Sequence, residues 1–225
     1  LKDDEFGRFL PPTVAFQVSP TAPAYWTRAA AELSRLDPLM AELVERYVGL
    51  SLLSRGDPFG TLARSIVGQQ ISVKAADAVW GRFSAQVGEV SPERVRGLGE
   101  AGLAGCGLSK RKIEYLCDLA GHFSSGRLDP LAWVNLDDEA VIAELTEVRG
   151  IGRWTAEMFL IFNQMRPDVF PLDDIGLQRA VFERYFGGEK QLRRTLAAFG
   201  ERWRPWRSVA TWYLWRSLDP LPVEY

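Results

Sequence analysis

The chain has 225 residues, long enough to bury a core as one domain or two small ones. Lys and Arg total 27 against 29 for Asp and Glu, a net charge of −2 with an isoelectric point near 5.6, which excludes a global basic field and leaves room only for a local one. Two cysteines, Cys106 and Cys117, exclude a disulfide framework and offer no metal-ligand spacing; they read as buried or partly buried thiols. There is no apolar run long enough to cross a membrane and no signal peptide, so the expected setting is intracellular and cytoplasmic, with no membrane partner.

In chain order, Leu1 in place of Met reads as a trimmed terminus, and Lys2 to Pro20, with the Pro11-Pro12 pair, as a partly extended lead-in. Helical periodicity then starts after Asp57 and ends near Gly68, leaving Gln69 and Gln70 in a turn. A segment capped by Ser72 follows, with Val73, Ala76, Trp80, Phe83 and Val87 expected on one face. Further helices start after Ser91, Ser109 and Asp174. The run Lys110-Arg111-Lys112 opens one of them, and Arg111 reads as an ordinary solvated face. His122, the single histidine, falls outside every motif and reads as a packing or surface residue. No run of alternating β-branched residues suggests a sheet, so the fold class is all-α.

The sharpest local signal is the turn Leu145-Thr146-Glu147-Val148-Arg149-Gly150-Ile151-Gly152-Arg153-Trp154-Thr155-Ala156. Val141 to Leu145 read as the end of one helix, and Trp154, Met158, Phe159 and Phe162 as the next. Gly150 and Gly152 permit a sharp reversal, and the helix that opens after Gly152 offers free backbone N–H groups and a positive dipole end to an anion. Arg149 and Arg153 flank it, with Arg179 a further cation near the proposed site. An ordinary connector between packed helices remains the alternative. Some twenty residues on comes Pro171-Leu172-Asp173-Asp174, an acidic pair that packing alone does not require; Asp is also a favoured helix cap.

The turn resembles the helix-hairpin-helix of the base-excision DNA glycosylase superfamily, and Asp174 falls at that superfamily's catalytic aspartate. Three further stretches narrow the resemblance: Ser65-Ile66-Val67-Gly68-Gln69-Gln70-Ile71-Ser72, Gly107-Leu108-Ser109-Lys110-Arg111-Lys112, and Glu201-Arg202-Trp203-Arg204-Pro205-Trp206-Arg207-Ser208. Together, over residues 57 to 217, they are similar to the alkylpurine branch, the 3-methyladenine DNA glycosylase II type. The resemblance implies a two-lobed helical bundle with a cleft between the lobes: 57–165 as the central lobe carrying the hairpin, and 1–56 plus 166–225 as a discontinuous second lobe carrying Asp174.

It also implies the roles. The partner is double-stranded DNA containing alkylated bases, and the target nucleotide is rotated out of the stack at a cost of roughly a few kcal/mol. Gln69 and Gln70 enter the gap, the alternative being that they merely end a helix. Arg149, Gly150, Gly152, Arg153, Lys110 and Lys112 meet the DNA backbone. Trp154, Met158 and Trp215 form the base pocket, where a cationic base gains roughly 0.5 to 2 kcal/mol per favourable π contact. Most of the C-terminal stripe of Trp203, Trp206, Trp212 and Trp215 is expected to be core. Met158 and Arg216 stand where relatives have aromatics.

Asp174 assists an attacking water, while Asp173 is assigned to capping. Trp154 occupies the position of the lysine nucleophile of bifunctional relatives, so strand cleavage through a Schiff base is not expected. The backbone carbonyls of Thr146, Val148 and Ile151 correspond to a Na⁺ or K⁺ site. Catalysis needs no cofactor, and the four-cysteine iron–sulfur cluster of the endonuclease III relatives cannot be built from two cysteines. The expected function is removal of 3-methyladenine, with 7-methylguanine and other methylated bases also considered, by a monomeric, monofunctional glycosylase of base excision repair. Two alternatives stand beside it: a non-catalytic helix-hairpin-helix DNA-binding module, and a helical interaction protein unrelated to DNA.

Overall fold

A computed structural model describes residues 22–54 and 56–218; the lead-in expected over Lys2 to Pro20 lies outside the described residues. All regular structure among the described residues is helical. Helix starts are set by side-chain caps. Asp57 accepts from Phe59 N and Gly60 N to open α3 (Pro58–Gly68), and Ser72 accepts from Ala75 N to open α4 (Val73–Val87). Ser91 accepts from Arg94 N at α5 (Pro92–Leu103), and Ser109 from Lys112 N at α6 (Lys110–Ser124). Each such cap stabilises its helix by about 1 kcal/mol, and Pro at the first helical position of α3 and α5 removes an N–H that had no intrahelical partner.

The chain forms two groups of helices. α3 packs on α4, α6 and on α8 (Arg153–Phe162); α5 packs on α4 and α6, and α7 (Asp138–Thr146) on α8. In the other group α1 (Trp26–Leu36) and α2 (Pro38–Arg46) pack on each other and on α11 (Arg207–Leu218), which also packs on α9 (Ile175–Tyr185). The short α10 (Arg193–Gly200) completes it. This is an all-α, two-lobed architecture with a hairpin between α7 and α8. Trp203, Trp206 and Trp212 are buried core residues, as expected of that stripe, whereas Trp215 is only half-buried. Cys106 is buried and Cys117 partly so, and burial raises both thiols.

Two sequence expectations shift. In α4 the core face is Val79, Phe83 and Val87, while Val73 is 66% exposed, because the first turn overhangs a cleft instead of packing on a neighbour. At α9 it is Asp174, not Asp173, that caps the helix: its Oδ1 accepts from Leu177 N at 2.6 Å. Asp173 points outward to Arg193, 3.1 Å away.

A third motif finds its reason here. Glu201 accepts from Arg204 and Arg207, and Asp168 accepts from both arginines as well. Ser208 Oγ donates to Arg166 O at 2.6 Å and accepts from Val169 N at 2.9 Å. The 201–208 stretch thus clamps the segment between α8 and α9 that delivers Asp174.

Candidate active site

Asp174 is 6% exposed and its carboxylate is surrounded by donors. Besides Leu177 N, Oδ1 accepts from Trp215 Nε1 at 2.8 Å, and Oδ2 accepts from Trp154 Nε1 at 2.9 Å. No cation is among these partners, so the charge is held by two indole dipoles and the N-terminus of α9. Trp154 comes from the first turn of α8 and Trp215 from α11, so the two helical groups meet at one carboxylate. Gly176 makes room for the meeting: a Cβ there would stand 3.2 Å from Asp174 Oδ1 and 3.3 Å from Trp215 Cδ1. The Trp215 ring stacks on Phe162 with centroids 5.8 Å apart and planes 9° from parallel. That face is therefore already covered.

Trp154 also lines a cleft of about 460 Å³, together with Arg64, Ser65, Gln69, Gln70, Val73 and Gly150. A smaller cavity of about 30 Å³ lies under it, between α3 and α8, lined by Met158, Thr61, Phe159 and Phe162, with Ser65 and Thr155 shared between the two. Of the three expected pocket residues, Trp154 lines the cleft and Trp215 joins it at Asp174, while Met158 is buried in the floor beneath. The Arg216 guanidinium lies 4.8 Å from the Trp212 ring.

The hairpin is built against α6. Gly150 has φ +86°, and a Cβ there would overlap the Tyr115 ring, so the position requires glycine twice over. Arg149 N donates to Asp118 Oδ2 at 2.8 Å, and the Arg149 side chain, 60% exposed, lies 3.4 Å from Asp118 Oδ1. Gly152 caps α8 without any side-chain acceptor, leaving the N–H groups of the first turn directed outward. Thr146 and Ile151 carbonyls receive no backbone N–H among the described residues, while Val148 O accepts from Ile151 N at 3.1 Å. Carbonyl oxygens with spare lone pairs are hard ligands, the type a monovalent cation takes.

The charged residues fare differently from one another. Lys110 is exposed at the start of α6. Arg153 is bound to Glu139 and, through Nε at 3.0 Å, to Glu157; hydrogen bonding to Glu139 raises its guanidinium further above its ordinary range. Glu157 is 5% exposed with Oε2 unpartnered, and burial pushes its carboxyl up despite Arg153. Arg179 pairs with Glu183 on its own helix. Lys112 departs most from expectation: its ammonium donates to Val67 O and Gln69 O, both at 2.8 Å, and burial lowers it. Gln69 donates through Nε2 to Gly150 O at 2.8 Å, whereas Gln70, at φ +58°, is exposed at the cleft rim. Sequence spacing gave no sign that Gln69 ties two turns together, because its partner lies 81 residues away.

Comparison with known proteins bears on family and fold. Residues 63–205 match the model of the HhH-GPD superfamily base excision DNA repair proteins. The chain is 32% identical over 198 residues to DNA-3-methyladenine glycosylase 1 of Schizosaccharomyces pombe, covering 85% of this chain and 87% of the relative. It is 31% identical over 189 residues to DNA-3-methyladenine glycosylase 2 of Escherichia coli, covering 78% and 63% of the respective chains. Among solved structures, a DNA-3-methyladenine glycosidase from Bacillus halodurans superposes with a TM-score of 0.76 at 37% identity, covering 89% of this chain and 91% of that one. The Schizosaccharomyces pombe enzyme in complex with abasic DNA gives 0.71 at 31% identity, covering 88% and 99%. The chain belongs to the HhH-GPD superfamily of base excision DNA repair proteins, in its alkylpurine glycosylase branch.

Proposed function

We propose that this protein is a monofunctional DNA glycosylase that removes alkylated purines, 3-methyladenine foremost, and leaves an intact abasic strand. The observation that carries this reading is the buried Asp174 carboxylate, held by three neutral donors, one of which, Trp154, also lines the cleft. An alkylated purine is cationic, so its glycosidic bond is weakened and the departing base needs no proton. What the reaction lacks is a counter-charge for the oxocarbenium-like sugar and an oriented water. Asp174 supplies both: Oδ1 is anchored by two donors, and Oδ2, with one donor, keeps a lone pair for water. A second carboxylate of the kind that ordinary glycosidases use is unnecessary. Trp154, at the position of the lysine of bifunctional relatives, gives the anchor without an amine for a Schiff base.

Binding follows from the same elements. The outward N–H groups at the start of α8, with Gly150 and Gly152, receive a phosphate of double-stranded DNA, and Arg149 and Lys110 add charge; Arg153 adds less because two glutamates already hold it. Gln70 fills the gap left by the rotated nucleotide. Thr146, Val148 and Ile151 carbonyls would hold a Na⁺ or K⁺, which would supply positive charge to the site. The chain acts as a monomer within the cell, its central lobe 57–165 bearing the hairpin and the remainder bearing Asp174. The test is incubation with duplex DNA treated with a methylating agent: the wild type releases free methylated purine without nicking the strand, and D174N does not. Equal release by both proteins, or a borohydride-trappable intermediate, refutes the reading.

A further inference from the structure

Lys112, Tyr115 and Asp118 lie three residues apart and therefore on one face of α6. Each holds a different part of the DNA-facing surface. Lys112 Nζ donates at 2.8 Å to Val67 O and to Gln69 O, carbonyls that the end of α3 leaves without intrahelical donors. Gln69 Nε2 in turn donates to Gly150 O at 2.8 Å. The Tyr115 ring lies against Gly150, and Asp118 Oδ2 accepts from Arg149 N at 2.8 Å. The bonds close a ring: α6 to the end of α3, across Gln69 to the hairpin, and back to α6. Gln70 follows Gln69 directly in the chain and stands at φ +58°, a left-handed conformation that a non-glycine residue keeps only when its surroundings enforce it.

We propose that this face of α6 is a brace that couples the Gln70 turn to the hairpin, and that Lys112 is its positioning residue and not a phosphate contact. The proposal rests on the reading of the protein as a base-rotating glycosylase. Lys112 spends two of its three protons on backbone carbonyls in a half-buried setting, so its charge complements the C-terminal end of α3 and is withheld from DNA. Loss of the ammonium frees the Gln69 carbonyl and its neighbour to relax, and Gln70 loses the backbone geometry that aims it into the stack. Hairpin and wedge would then bind the duplex separately, with the phosphate grip kept and nucleotide rotation impaired.

K112M in the full chain separates the two roles. Three quantities are read: the slope of log affinity against log salt on duplex carrying an abasic analogue, the fluorescence of 2-aminopurine beside the lesion, and the ratio of base release from methylated duplex to release from the same strand alone. A brace predicts an unchanged salt slope, weaker 2-aminopurine enhancement, and a duplex-to-single-strand ratio at least roughly tenfold lower, as expected for loss of charge-assisted hydrogen bonds. It also predicts that Q70A lowers the ratio by a similar factor and that the double variant falls no further. K112Q, neutral but still able to donate to carbonyls, should keep more of the ratio than K112M. A phosphate contact predicts instead that the slope falls by about 0.9 in both variants with the ratio intact, and that result overturns the proposal. Additive losses in the double variant overturn it as well. If the wild type released no methylated base from either form of DNA, the glycosylase reading would fail, while the salt slope and the fluorescence would still decide what Lys112 does.

Discussion

Two aspartates in this molecule have nearly the same surroundings and opposite prospects. Asp37 and Asp174 are each 6% exposed, each caps a helix, and each accepts from two aromatic donors besides. Asp37 Oδ1 accepts from Leu39 N at 2.9 Å, and its Oδ2 from Tyr185 Oη at 2.7 Å and Trp203 Nε1 at 3.3 Å. The difference is what stands behind the donors. Tyr185 and Trp203 are packed edge-on against Phe199, and Trp203 is fully buried, so the donors to Asp37 Oδ2 are themselves closed in by aromatic packing. Trp154 and Trp215 are half-buried, and Trp154 also lines the cleft. A buried carboxylate among aromatic donors is therefore not by itself a distinguishing feature; what sets Asp174 apart is that one of its donors is also a wall of an open cleft.

The comparison breaks most sharply on charge removal. D174N keeps an oxygen for Leu177 N and Trp215 Nε1 but loses the negative charge and turns an amide NH₂ toward the Trp154 indole donor, so single-turnover base release should fall on the order of 10³-fold, the scale of losing an electrostatic stabiliser of the transition state, with about 1 to 3 kcal/mol of stability lost through the unsatisfied indole. An unchanged rate would put the chemistry elsewhere. D37A should spare the rate. It removes a cap worth about 1 kcal/mol and strands the hydroxyl of Tyr185 and the indole N–H of Trp203, so about 3 kcal/mol of stability is lost while the rate per folded molecule stays at the wild-type value. Urea denaturation at fixed substrate-free conditions reads the first quantity, and active-site-normalised release the second.

A subtler break comes from Gly176, in the first turn of α9. Alanine there is the better helix former by up to about 1 kcal/mol, but its methyl would press on Asp174 Oδ1 and Trp215 from 3.2 and 3.3 Å. G176A should therefore fold no less stably than the wild type and yet release base roughly tenfold more slowly, since displacements well under 1 Å at a catalytic group already cost that much. If both quantities fell together, the glycine would be serving the helix and not the site.

Much of this was legible in the chain, and what was not has a common cause. Asp57, Ser72, Ser91 and Ser109 cap helices where the sequence places them, because a cap and the apolar period after it are local signals. The cap at α9 was assigned to Asp173 and belongs to Asp174, since either residue precedes the same apolar pattern and only the backbone at 174 turns its carboxylate onto Leu177 N. Lys112 reads as a surface cation in a basic run, and its partners are main-chain oxygens more than forty residues away, which carry no side-chain signature. Arg153 is the same case: its grip on Glu139 crosses the hairpin and is invisible to spacing. Trp154 was legible as the residue that replaces a lysine, but not as a hydrogen-bond donor to Asp174.

The finest probe removes a single N–H from each aspartate while leaving the ring. W203F deletes a 3.3 Å bond to Asp37 and W215F a 2.8 Å bond to Asp174. Hydrogen bonds to charged groups contribute about 1.5 to 3 kcal/mol, and the longer bond belongs at or below the bottom of that range, so W203F should lose about 1 kcal/mol of stability and no activity. In W215F phenylalanine keeps the stack on Phe162, so the hydrophobic contact survives and only the tether is lost. Oδ1 then rests on Leu177 N alone, and the carboxylate gains freedom to swing about its Cβ. The expected result is a rate several-fold lower, on the scale that a fraction of an ångström of misplacement produces. If W203F slowed base release as much as W215F, the cleft behind Trp154 would not be what separates the two aspartates, and both would act through the rigidity of the lobe they share.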